Sequence, residues 1–129
     1  MGHKNKGVFM SEYEIVVPET RAMTVDEYGQ FTEEFWFSGV ARPTNESIAI
    51  MTIGLGGEAG EVQEHIKKLI RDGKLDKEEL KKELGDVAYY WARICKQFGF
   101  LPSEVLQANK EKLESRKKRG VLRGDGDNR

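Results

Sequence analysis

Cysteine is all but missing from this 129-residue chain, which has Cys95 and no other. A single thiol excludes a disulfide framework and a cysteine-built zinc site. Its neighbours Trp91 and Ile94 mark it as a buried thiol, and a reducing cytoplasm is the matching compartment. Neither sign of charge is in excess. The 21 basic and 22 acidic residues leave a net charge of −1, so no basic field suits a nucleic-acid polymer. Long apolar runs are also lacking. The longest, "IAIMTIGLGG", falls well short of the ~20 residues that span a bilayer, so no membrane partner is expected. The first residues, "MGHKNKGVF", lack the apolar stretch of a secretory leader.

What is present is a set of helical patterns. Residues 1–23 show no helical period; "EYEIVVPE" fits a short strand or an ordered arm, limited by Pro18. Thr24 with Glu27 forms a capping-box start, predicting a first helix from there to about Phe37. A Gly/Pro-containing loop follows, and Asn45 or Ser47 starts a second helix that reaches about Arg71. "DGK" breaks it. Asp76 with Glu79 opens a third helix, which runs to about Phe98. After "GFLPS" a fourth helix runs from about Ser103 to Lys118. The predicted organisation is an arm (1–23), one helical domain (24–119) and a frayed polar tail (120–129).

Apolar stripes set the fold class. Leu80, Leu84, Val87, Trp91, Ile94 and Phe98 recur at steps of four and three, as do Ile48, Met51, Leu55, Val62, Ile66 and Leu69. The expected protomer is all-α and four-helix-bundle-like. Such a bundle is too small to bury every stripe alone, so a homo-oligomer is expected.

The position missing from the second stripe, between Leu55 and Val62, is Glu58. Glu58 and Glu61 are three apart, as are Glu83 and Asp86, and residues so spaced share a helix face. If the second and third helices pack antiparallel, both carboxylate pairs meet at the seam. Unpaired charges there are costly, so either cations neutralise them or they do not meet. Oxygen-only ligands favour hard ions, Mg²⁺ or Mn²⁺. A di-iron bundle needs Glu-x-x-His, and His65 has the wrong spacing for it. Gly60 and Gly85 flank the acids and are expected to admit a neighbouring helix or a phosphate. Mg²⁺ held by carboxylates points to phosphate-ester or phosphoanhydride chemistry, with one carboxylate as general base. Tyr90 follows Asp86 by one turn and would line the substrate. Asn109, Lys112 and Arg116 share a face of the fourth helix and suit sugar or phosphate. Gln30, Phe31 and Trp36 are candidates for holding a base.

"GEAGEV", "KKELGDVAYYW" and "NKEKLESR" together resemble the MazG-like family of all-α nucleoside triphosphate pyrophosphohydrolases. The resemblance spans about residues 24–119. The family's Glu-x-x-Glu…Glu-x-x-Asp signature falls on Glu58, Glu61, Glu83 and Asp86. It implies Mg²⁺ (or Mn²⁺) at those four residues, with Glu58 and Glu61 catalytic and Tyr90 as the Tyr that follows the motif. It also implies a homodimer or a dimer of dimers, and hydrolysis of a nucleoside triphosphate between its α- and β-phosphates. Many members have a further Glu where this chain has Gly57. Compact members occur in bacteria and their viruses, and some cleave dGTP, which makes dGTP or GTP the substrate expectation.

Two other readings compete. The four acids would form a solvated face if Lys67, Lys68, Lys81 and Lys82 were their partners, making the chain a non-catalytic oligomerisation or regulatory module. Alternatively, the chain is a metal hydrolase acting on another phosphoanhydride. His65 is expected at the helix surface or beside a ligand, Trp91 in the core, and Tyr89 at a helix or subunit interface.

Overall fold

Local chemistry sets several of the helix ends. The computed structural model describes residues 21–36 and 45–126. Most of the expected arm and the loop at 37–44 lie outside the described residues. The first helix, α1 (Val25–Thr32), starts at Thr24, whose hydroxyl accepts from Glu27 N at 3.1 Å. The Glu27 carboxylate accepts from Thr24 N at 2.8 Å and pairs with Arg21 at 2.7 Å. α1 is shorter than its pattern predicts. The Thr32 hydroxyl bonds back to the Gly29 carbonyl at 2.8 Å, and the chain tightens into a 3₁₀ turn at Glu33–Phe35 before Trp36 turns extended.

Helix α2 (Asn45–Asp72) is the longest. It stops at Gly73, whose φ of +68° suits glycine and whose N–H bonds to Leu69 O at 2.9 Å. Helix α3 (Lys77–Gln97) starts at Asp76, which accepts from Glu78 N and Glu79 N, both at 3.1 Å. Glu79 does not complete the expected box; its carboxylate pairs with Lys82 at 2.5 Å. Helix α4 (Pro102–Lys118) places Pro102 in its first turn and is capped across the fold. The Asp26 carboxylate of α1 accepts from Ser103 N at 2.8 Å and from Ser103 Oγ at 2.5 Å. Beyond Gly120 the chain turns back: Val121 N bonds to Arg116 O, and Arg116 Nη2 donates to Gly126 O at 3.3 Å.

The fold is all-α, with no strand among the described residues. α2 and α3 form its main pairing, an antiparallel hairpin closed by a short turn. α1 lies against α3 and the start of α4. Gly29 makes that approach possible, because a Cβ there would lie 2.9 Å from Pro102 Cγ.

The tightly packed interior is small. Met51, Ala92 and Cys95 are the buried apolar side chains among the described residues. The α3 stripe is less buried than its periodicity predicts: Leu84 and Phe98 are more than half exposed. On α2, Ile53 is 73% exposed and Ile70 81%. Leu106 and Leu113 on α4 are also exposed. Among the described residues no element covers these faces, since α1 and α4 pack on α3 and on each other.

Candidate metal and nucleotide site

The α2–α3 seam places Glu58 of α2 beside Glu83 and Asp86 of α3. One carboxylate oxygen from each lies within 4.8 Å of the other two. Glu58 and Glu83 are half-buried, and Asp86 opens to solvent. Burial pushes the Glu58 carboxyl above the usual range; Asp86, Glu83 and Glu61 add like-charge repulsion, and a hydrogen bond with Glu83 favours its protonated form. Glu61 is exposed and outside the three-residue cluster, although its charge reaches Glu58.

Three of the four lysines that a solvated acidic face would use are engaged elsewhere. Lys67 pairs with Glu64, Lys81 with Glu78 at 3.7 Å, and Lys82 with Glu79 at 2.5 Å. The described partner of the cluster is His65, whose Nε2 lies 3.8 Å from Glu83 Oε1 with both side chains mostly buried. Three hard oxygen donors from two helices, crowded and without a lysine or arginine partner among the described residues, fit a small divalent cation. Cys95 is a free, buried thiol, and burial pushes it up.

One turn beyond the acids, Tyr90 packs on Gly54. A Cβ added at Gly54 would lie 2.4 Å from Tyr90 Cε1, so the ring occupies the space that an alanine would need. The expectation for the glycines thus changes. Gly57, Gly60 and Gly85 face open space, and Gly54 is where a close approach requires glycine. Tyr89 meets Tyr90 edge-on, with ring centroids 5.2 Å apart, and its hydroxyl donates to Phe35 O at 3.2 Å.

The other sequence-predicted residues have settings of their own. Gln30 is exposed and donates to Glu33 at 3.0 Å. Trp36 stands over the Arg93 guanidinium, 5.6 Å from ring centroid to Cζ. Asn109 is exposed and Lys112 half-buried on α4. Arg116 is 6% exposed and holds the returning tail through Gly126.

Two residues were missed by sequence reasoning. Tyr28 of α1 feels the Asp86 charge; burial first, then Asp86, pushes its hydroxyl up. Its signal was the apolar spacing of Val25, Tyr28 and Thr32 on one face of α1. Arg93 is 7% exposed, and its Nε and Nη1 are buried with no hydrogen-bond partner, as is Gln97 Nε2 one turn on. Each unmet buried donor costs about 1–3 kcal/mol. The signal for Arg93 was a cation inside the apolar run "VAYYWARIC".

Fold and site together define a class: helical-hairpin proteins in which carboxylates from both helices gather into an oxygen-lined cluster that could hold a cation. Comparison with known proteins narrows this. A family model for the MazG nucleotide pyrophosphohydrolase domain matches residues 46–121. The Gene 37 protein of Mycobacterium phage L5 is 44% identical over 89 residues, covering 65% of this chain and 78% of that protein. No solved structure matches. The chain belongs to the MazG nucleotide pyrophosphohydrolase domain family, which is generally divalent-metal dependent and acts on nucleotides. The matched span holds the whole α2–α3 hairpin and α4. Among the described residues, no helix is long and apolar enough to cross a membrane.

Proposed function

We propose that this protein hydrolyses a nucleoside triphosphate between its α- and β-phosphates, releasing a nucleoside monophosphate and pyrophosphate. The observation that carries the reading is the Glu58–Glu83–Asp86 cluster, three oxygens within 4.8 Å drawn from two helices. Its ion is Mg²⁺ or Mn²⁺, as hard oxygen donors prefer. When bound, the ion withdraws charge from the phosphoryl oxygens.

The chain's own residues do the rest. Glu58, Glu83 and Asp86 would hold the ion, and its charge would offset their mutual repulsion. Glu61, outside the three-residue cluster and exposed, acts as general base. Its carboxylate oxygen takes a proton from water as that water attacks the α-phosphorus, and the bridging P–O bond breaks with pyrophosphate as leaving group. Tyr90, fixed against Gly54, borders the sugar. Lys112 supplies positive charge from α4 for the departing phosphates, with Asn109 and Arg116 on the same helix face.

The open apolar faces of α2, α3 and α4 support assembly into a homodimer or a dimer of dimers, with Val62, Ile66 and Ile70 lining a groove along α2. Light scattering checks this; a monomer at working concentration contradicts it.

Incubation with each dNTP and Mg²⁺, separating pyrophosphate from phosphate as the first product, tests the activity. Pyrophosphate supports the reading. Phosphate first would instead indicate another phosphoanhydride chemistry. No turnover, with Glu61→Gln altering only the binding of a basic partner, would indicate a regulatory module. dGTP or GTP is the expected best substrate.

A further inference from the structure

We infer that Arg93 and Gln97 form the base-reading end of the nucleotide site and select bases carrying an exocyclic oxygen over adenine. The inference rests on the pyrophosphohydrolase reading above and adds its specificity determinant. Arg93 sits seven residues beyond Asp86 on α3, about 10 Å further along the helix axis. That is the reach of a nucleoside from an α-phosphate held at the acid cluster. Between the two levels on α3 lie Tyr89 and Tyr90, their ring centroids 5.2 Å apart.

The character of the unmet groups sets the ligand's chemistry. Arg93 Nε, Arg93 Nη1 and Gln97 Nε2 are all N–H donors, all buried, and none has an acceptor among the described residues. The Trp36 indole already covers one face of the guanidinium. The unmet donors lie along the rim of the guanidinium and on the Gln97 amide, and a base admitted beside them would meet them edge-on. An acceptor-bearing base edge satisfies it: Arg pairs with carbonyl oxygens and ring nitrogens of bases in this way. Guanine, cytosine, thymine and uracil each carry an exocyclic oxygen, whereas adenine accepts only through its ring nitrogens and sets its amino group, a donor, beside them. A donor facing donors is left unpaired, and sites built around buried hydrogen-bonding groups reject such ligands strongly. A phosphate oxygen shares the acceptor chemistry, but the indole beside Arg93 and the distance from the acids favour a base.

The test compares wild type, Arg93→Met and Gln97→Leu for kcat/KM on dATP, dGTP, dCTP and dTTP. Affinity for non-hydrolysable α,β-imido analogues of dATP and dGTP is measured by calorimetry, with inorganic tripolyphosphate as the phosphate-only probe. Wild type is expected to prefer the best oxo-base over adenine by about tenfold or more. Arg93→Met should collapse that preference to within about threefold and leave tripolyphosphate affinity unchanged. Equal use of dATP by wild type overturns the inference. So does a uniform loss across all four bases together with lost tripolyphosphate affinity, which would assign Arg93 to phosphate. If Arg93→Met does not fold, Gln97→Leu decides: a narrowed base preference supports the inference, and an unaltered one overturns it. If wild type turns over no nucleotide, the pyrophosphohydrolase reading has failed, while the calorimetric dGTP-to-dATP ratio still decides base recognition.

Discussion

Two levels of the α2–α3 hairpin, about two helical turns apart, have opposite deficits. At the lower level Glu58, Glu83 and Asp86 crowd three carboxylates together and lack a lysine or arginine partner. At the upper level Arg93 and Gln97 bury three N–H donors and lack an acceptor. A chain selected only for stability would have paired the two charges or moved them to the surface, since a buried unpaired charge costs several kcal/mol. Keeping both apart on one seam suits a ligand that is anionic and metal-bound at one end and rich in acceptors at the other. The contrast with the rest of the hairpin is plain. Its outer lysines and acids pair locally, i to i+3, and carry little energy.

The largest effect should come from breaking the acid level. Asp86→Asn or Glu58→Gln is expected to lower pyrophosphate release by about a thousandfold or more while leaving circular dichroism unaltered, since one oxygen ligand is lost and no packing is removed. A fall of less than tenfold in both would separate the cluster from the chemistry. A smaller effect should come from between the levels. Gly54→Ala forces a Cβ onto the Tyr90 ring, and overpacking of this kind costs about 1–3 kcal/mol. The expected result is a lowered melting temperature with KM raised more than kcat is lowered; no change in either would show that Tyr90 moves aside freely.

The smallest effect is on pH dependence and has an unusual sign. Glu58 is held above its unfolded value by burial and by its acidic neighbours. A raised carboxyl contributes stability that is complete below the unfolded pKa and disappears as pH rises through the folded one. The metal-free protein should therefore melt at a higher temperature as pH falls from 7 toward 5. Excess Mg²⁺ should cancel or reverse that slope, because the ion requires the deprotonated carboxylates. Glu27 works in the opposite sense. Arg21 and the α1 cap hold it below its usual value, so its contribution fades only as pH falls further. Identical pH slopes with and without metal would remove the link between Glu58 and the ion.

Much of this was legible in the sequence because it is local. Thr24, Asp76, Gly73, Gly99 and Gly120 mark helix ends through chemistry spanning a few residues. Glu58 declared itself by interrupting an apolar stripe, and the two acid pairs declared a shared face. What depends on distant chain was not legible. Asp26 capping α4 joins residues 77 positions apart. Arg93 interrupts an apolar run just as Glu58 does, but an arginine on a helix ordinarily reads as a surface group with a buried stem. Its burial and its stacking against Trp36 arise only when the chain after α1 meets α3. The α3 stripe shows a related limit. Periodicity reports a face that needs covering and says nothing of whether the cover lies in the same chain, and Leu84 and Phe98 remain open in this one.

The central claim is that Glu58, Glu83 and Asp86 together hold a divalent ion. Electron paramagnetic resonance of Mn²⁺ titrated into the metal-free protein tests it most directly. The account predicts saturable loss of the free-ion signal in wild type, competition by Mg²⁺, and weakening of at least tenfold in Asp86→Asn and Glu83→Gln. An undiminished free Mn²⁺ signal in wild type, or equal binding by all three proteins, would contradict it.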